Sequence, residues 1–266
     1  MPHLLDGCWA KIQRAEESIG NLNREITAFL SGDPPPYKIV REHQDNGLKY
    51  AFMAYAEPVP LRFSVLAGEI VHHLRSSLDH LIYALIVKGG GTPTNNNQFP
   101  IYLTPEEFDR ACNSGLIKGI PRSAKKLIRS VQPYTSPTPE YTILYVVHQY
   151  DILDKHRLLV VTCTVAEIGH QIIIGPDETV ADQPTSVLPN IVGLGDPVPR
   201  RVTKDGVEVF SIRLAAPAPQ FQANANFVPQ IAFEKCGGAE IKPVIEALSM
   251  MLEGIAHTVR LFAGEF

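Results

Sequence analysis

Residues 66–88 read LAGEIVHHLRSSLDHLIYALIVK, and the spacing of their apolar side chains predicts a long amphipathic helix. At about 100° per residue, Leu66, Ile70, Val71, Leu74, Leu78, Leu81, Ile82 and Leu85 share one broad face. With Leu74 set at zero, His72, Arg75 and Asp79 fall on one flank, between roughly 100° and 160°. They stand at i, i+3 and i+7, so each is one turn from the next. His73 and His80 share the opposite flank. One polar edge therefore brings together a base, a cation and an acid. The plain alternative is that Arg75 and Asp79 form an i, i+4 ion pair at a bundle margin, capped by His72 and contributing a few tenths of a kcal/mol.

Outward from this stretch, three further long helices are predicted, about 4–30, 138–156 and 239–263, with the central one covering about 61–88. In the first, Leu5, Trp9, Ile12, Ile19, Leu22, Ile26 and Phe29 recur at steps of three and four, and Gly32 with Pro34-Pro35-Pro36 stops it. Between the first two helices, YKIVREHQ and LKYAFMAYAE flank Asp45-Asn46-Gly47, a strong hairpin signal because these residues tolerate positive φ. Gly89-Gly90-Gly91 reads as a helix C-cap and loop, since no GK[ST] follows it. Thr104-Pro105 and Pro121 open two short helices. The second is basic, with Lys125, Lys126 and Arg129 as candidate substrate-binding residues beside Arg157, against the simpler reading of a solvated face. The helix ending at 156 closes in Asp154-Lys155-His156-Arg157, whose cations suit its C-terminus.

From Leu158 the period changes to two or to β-branched runs. RLLVVTCTVAEI and HQIIIG are expected to pair, VEVFSIRLA to follow the Asp205-Gly206 turn, and FVPQIAFEK to be a fourth strand. Residues 176–200, with five prolines among polar and small residues, read as a long loop or an ornamental edge. Four long helices with strands at about 37–56 and 158–235 give an α+β chain: a four-helix bundle with an antiparallel sheet packed on one side, in a single domain over residues 1–266.

The 266 residues, 45% hydrophobic and 20% charged, have the composition of an ordinary globular protein. A net charge of −4 argues against a general nucleic-acid coat or an anionic-membrane binder while leaving room for a local basic site. The four cysteines have no CxxC spacing, which fits a reducing cytoplasm. The first residues, MPHLLDGCWAKIQRAEE, lack a basic stretch before an apolar core, and no apolar run reaches membrane-spanning length. A cytoplasmic protein without a membrane partner is expected.

The stretch GEIVHHLRSSLDHLIYALI, with QFPIY, QPY and DKHR further on, resembles a set of uncharacterised bacterial proteins with a Leu-Arg-Ser-x-Leu-Asp-His signature. That resemblance covers most of the chain to about residue 160 and implies no established activity. Arg75-SSLD-His80 also resembles the Arg-x4–6-His pattern of the HEPN superfamily, four-helix bundles that are often metal-independent ribonucleases active across a dimer interface. This chain has Ser76 where that pattern usually has Asn, Asp or His. The resemblance implies RNA as partner, a homodimer, no cofactor, Arg75 on the scissile phosphate and His80 acting on the 2′-hydroxyl. In a straight helix the two side chains point about 140° apart, so that chemistry needs a distorted helix or a dimer.

Three functions follow. A metal-independent ribonuclease would use Arg75 and His80, with His72, Asp79 and His156 as further catalytic candidates. A metal-dependent hydrolase would draw on His72, His73, His80, His148, Asp151 and His156, although no HExxH spacing is present and Arg75 would repel a cation. A non-catalytic module would use the His72–Arg75–Asp79 edge to lock the fold and would bind a partner. An open site favours catalysis; a closed hydrogen-bonded network favours architecture.

Overall fold

The computed structural model describes residues 3–167, 173–174, 191–194, 201–218, 221, 223–224, 227–233 and 242–266. The chain is mixed α and β, and it divides into two compact units, each built from separated segments. The first comprises Met1–Glu25, Leu61–Val160 and Lys235–Phe266; the second comprises Ile26–Pro60 and Val161–Glu234.

In chain order the helices are α1 (Asp6–Leu30), α2 (Leu61–Lys88), α3 (Pro105–Asn113), α4 (Arg122–Ser130), α5 (Ile143–His156) and α6 (Val244–Leu261). α2 is the core of the first unit and packs against α5 and α6, which also pack on each other. Ile70, Val71, Leu74, Leu78, Leu81, Ile82 and Leu85 are all 0% exposed, and each such side chain contributes roughly 1.5–3 kcal/mol through burial. α2 leaves one strip to solvent, through Val65, Glu69, His72, His80, Tyr83 and Val87. α5 and α6 approach closely at Gly254, where a Cβ would lie 2.6 Å from Ile143. α2 ends as its glycines require: Gly90 takes φ +75, and the Gly91 amide donates to the Ile86 carbonyl. Thr104 caps α3, its hydroxyl accepting the Glu107 amide.

The expected helix from 138 begins later. Pro139–Tyr141 forms a separate 3-10 turn, and α5 starts at Ile143, because the backbone of Thr142 between them is extended, with φ −69 and ψ 143. Of the last expected helix, residues 239–241 lie outside the described residues.

In the second unit the hairpin forms as read. β1 (Tyr37–Gln44) and β2 (Lys49–Ala56) flank a turn in which Asp45, Asn46 and Gly47 all have positive φ. The remaining strands are β3 (Val161–Glu167), β4 (Ile173–Ile174), β5 (Ile191–Leu194), β6 (Val207–Leu214), β7 (Ala223–Asn224) and β8 (Phe227–Phe233). An antiparallel sheet runs β1-β2-β6-β5, while β3-β8 and β4-β7 form two-stranded sheets. Tyr50, Phe52, Phe210 and Phe227 make its aromatic core, with Phe52 5.8 Å from Phe210 and 5.3 Å from Phe227.

One strand expectation is corrected. Among the described residues RLLVVTCTVAEI is paired with FVPQIAFEK instead of HQIIIG: β3 runs antiparallel to β8, from Val161 opposite Phe233 to Glu167 opposite Phe227, and Ile173–Ile174 pair with β7. Within the stretch read as a loop or an edge, residues 191–194 take the edge alternative, as the edge strand β5 on β6. Most of that stretch, residues 176–190 and 195–200, lies outside the described residues.

Candidate functional site

All the catalytic candidates lie in the helical unit, and the structure separates them. Arg75 is an interior residue, with 6% of its side chain exposed. Its Nη1 donates to Asp79 Oδ1 at 2.7 Å and its Nη2 to the Phe99 carbonyl at 2.9 Å. Asp79 Oδ1 also accepts the Phe99 amide at 2.8 Å. A guanidinium and a carboxylate one helical turn apart thus clamp both backbone groups of Phe99, itself 1% exposed.

Buried Gln132 extends the clamp along the same strand of backbone. Its Nε2 donates to the Pro100 carbonyl at 2.8 Å, and its Oε1 accepts the Tyr102 amide at 3.2 Å. LRSSLD, QFPIY and QPY therefore meet in one network whose partners are backbone atoms. Burying an unpaired amide or carbonyl costs about 1–3 kcal/mol, and this network satisfies four of them.

His72 belongs to a different neighbourhood. Its Nδ1 lies 3.0 Å from Asp151 Oδ1 on α5, with the histidine side chain 56% exposed and the aspartate 3% exposed. A carboxylate only accepts, so in the neutral ring this contact places the proton on Nδ1 and the lone pair on Nε2. Nε2 makes no hydrogen bond among the described residues. Asp151 Oδ2 accepts from Lys155 Nζ at 2.5 Å. His148, Asp151 and Lys155 stand at i, i+3 and i+7 on α5, the same spacing as His72, Arg75 and Asp79 on α2; that pattern was the available signal for Asp151.

His148 lies between the two groups. Burial holds its pKa below the ordinary histidine range, and the Arg75 cation adds to the effect. Its Nδ1 is buried without a hydrogen-bond partner among the described residues. Asp154, one turn beyond Asp151, packs its carboxylate against Gly68, where a Cβ would lie 2.2 Å from Oδ1. Burial, then the neighbouring Asp151, raises the Asp154 pKa.

His80 is on neither side of this seam. It is exposed and packs against α1, where a Cβ on Gly7 would lie 2.7 Å from its Nδ1. Arg75 and His80 do not meet within the chain. His156 and Arg157 are exposed at the end of α5, and Lys125 and Lys126 are exposed on α4. Arg129 is engaged by Asp109 and lies over the Phe108 ring, 5.0 Å from its centroid.

No group of three or more His, Cys, Asp or Glu side chains among the described residues is arranged to hold a metal ion. No helix among them is long and apolar enough to cross a membrane. No protein-family model, curated protein or solved structure matches the chain.

Proposed function

We propose that the helical unit, read as a four-helix bundle of α1, α2, α5 and α6, is a metal-independent ribonuclease whose base is His72. The observation that carries this reading is the His72–Asp151 contact: a buried carboxylate fixes the tautomer of an exposed imidazole and leaves Nε2 open. That is the arrangement a general base needs, with a second group orienting the ring. In the reaction, His72 Nε2 takes the proton of a ribose 2′-hydroxyl as that oxygen attacks the adjacent phosphorus. The bond to the 5′-oxygen breaks and water protonates the leaving oxygen, giving a 2′,3′-cyclic phosphate and a 5′-hydroxyl end. Arg75 and Asp79 hold the Phe99 backbone in place, and His80 stands outside the chemistry.

The second reading is a non-catalytic, partner-binding module. It is favoured by the closure of the Arg75–Asp79–Phe99 network and by the use of both Asp151 oxygens. Incubation of labelled single-stranded RNA with the protein in EDTA separates the two. The nuclease reading expects cyclic-phosphate products from wild type and His80→Ala, and none from His72→Gln. No product from wild type at micromolar enzyme would leave the module reading.

A further inference from the structure

α1 runs antiparallel to α2. Gly7 near the start of α1 meets His80 late in α2, and Glu25 near the end of α1 accepts two hydrogen bonds from Arg62 at the start of α2, at 2.7 and 2.9 Å. At about 100° per residue, Gly7, Lys11, Arg14, Ser18 and Glu25 occupy one strip of α1 about 60° wide; Arg62, Glu69, His73, Ser76 and His80 do the same on α2. With both ends of the two strips in contact, Lys11 and Arg14 lie across from the middle of α2, at His73. The groove between the helices is therefore polar along its length.

Two features mark its middle as a place for an anion. His73 Nδ1 is buried without a hydrogen-bond partner among the described residues. The field there is positive: burial holds the His73 pKa low, and Lys11 and Arg14 outweigh Glu69 in pushing it the same way. Arg14 is 57% exposed, its only ion pair among the described residues a loose one of 3.7 Å to Glu17, and exposed pairs of that kind hold a cation weakly. The His73 ring centroid is 6.5 Å from that of His72, so the groove opens beside the proposed base.

We propose that this groove binds the backbone of single-stranded RNA, with Lys11 and Arg14, beside His73, as its phosphate contacts. The inference rests on the ribonuclease reading for the choice of RNA, and it locates the substrate on the α1/α2 face, away from the basic helix α4. A cation pair beside an unsatisfied imidazole suits a phosphodiester, which carries one charge and accepts hydrogen bonds at two oxygens. A single strand fits because the 2′-oxygen must swing in line with the leaving oxygen, which duplex geometry prevents.

The test is fluorescence anisotropy of a labelled single-stranded RNA on the His72→Gln protein, which binds without turnover, over a series of salt concentrations. Lys11→Glu with Arg14→Glu should raise Kd at least tenfold and flatten the log Kd against log salt slope by about 1.4, two contacts at about 0.7 each. Lys125→Glu with Lys126→Glu should leave Kd within about twofold. The milder Lys11→Gln with Arg14→Gln pair, confirmed folded by circular dichroism, should lie between. Unchanged Kd in the groove variants, or loss only in the α4 variant, overturns the inference. Groove-dependent binding by a protein whose wild type cleaves nothing would keep the groove and remove the nuclease; cleavage that survives both groove variants would do the reverse.

Discussion

Gly68 on α2 faces the Asp154 carboxylate of α5 so closely that a Cβ would lie 2.2 Å from Oδ1 and 2.5 Å from Oδ2. The Leu159 amide also donates to the Asp154 carboxylate, so moving it away from Gly68 would strain that hydrogen bond. In an ordinary helix interior Gly→Ala gains up to about 1 kcal/mol, whereas forcing an extra methyl into occupied space costs about 1–3 kcal/mol. We expect Gly68→Ala to destabilise the wild type and to stabilise the Asp154→Ala protein, a sign reversal measurable by urea unfolding in a double-mutant cycle. A neutral Gly68→Ala in the wild type would mean that the two helices slide apart at no cost.

The Arg75 clamp leads to a stability effect larger than its ion pair suggests. Among the described residues, Arg75→Ala removes the only cation paired with Asp79 and leaves the Phe99 carbonyl, 2.9 Å from Nη2, with no donor. We expect a loss of about 2–4 kcal/mol in urea unfolding, below the 3–5 kcal/mol of a fully buried pair because Asp79 is 36% exposed. Arg75→Lys should recover less than half of it, since an ammonium cannot reach both acceptors in a fixed fork. Cleavage per folded molecule should stay within about threefold of wild type. A folded, stable Arg75→Ala protein that no longer cleaves would place Arg75 in the chemistry.

The central helix was legible because one period ran through 28 residues, and Leu61–Lys88 is where α2 begins and ends. The hairpin turn and the Thr104 cap were legible for a similar reason: short-range backbone chemistry selects those residue types. The partner of β3 was not, since Cys163 and Ile231 come together across a long stretch of chain and strand period carries no address. β5 was legible only as one of two readings, a loop or an edge, because it is four residues long among prolines and glycines. At the site, helix geometry correctly grouped Arg75 with Asp79, but charge alone suggested an edge. What buries Arg75 is a carbonyl 24 residues away, and His72 is drawn instead to an aspartate 79 residues away. Both are tertiary choices among partners that the helix offers equally.

Asp151 is expected to act through His72. Asp151→Asn preserves the size of the side chain but can present an amide hydrogen to Nδ1, which would move the ring proton to Nε2 and remove the base. Substitutions of this kind at an orienting carboxylate cost up to about 10⁴-fold in rate; with a half-exposed ring we expect a fall of about 10²-fold or more. Lys155→Met, which leaves the His72 contact intact, should cost less than about tenfold. Single-turnover cleavage, beside RNA binding measured by anisotropy, separates this from a general loss of fold: binding should be unchanged in Asp151→Asn. Equal losses in the two variants would mean that the charge balance at Asp151, and not the tautomer of His72, sets the rate.

His148 gives the helical unit a pH dependence with a definite sign. Its folded pKa lies below the ordinary value of 6.5, first through burial and then through Arg75. Such a group binds fewer protons folded than unfolded, so its contribution to stability is complete above about pH 6.5 and is lost as pH falls through the folded value. Around it, Arg75 and Lys155 are the cations and Asp79 and Asp151 the carboxylates that act on it. His73 has the same sign, through burial and Lys11. Asp154 has the opposite one, its raised pKa giving stability that is complete below 3.8 and lost as pH rises through the folded value. The wild type should therefore lose stability between pH 7.5 and 5.5 in urea unfolding, and His148→Gln should lose less over the same interval, Asp154 and His73 being common to both. Parallel curves for the two proteins would show that the buried imidazole takes up its proton as readily folded as unfolded.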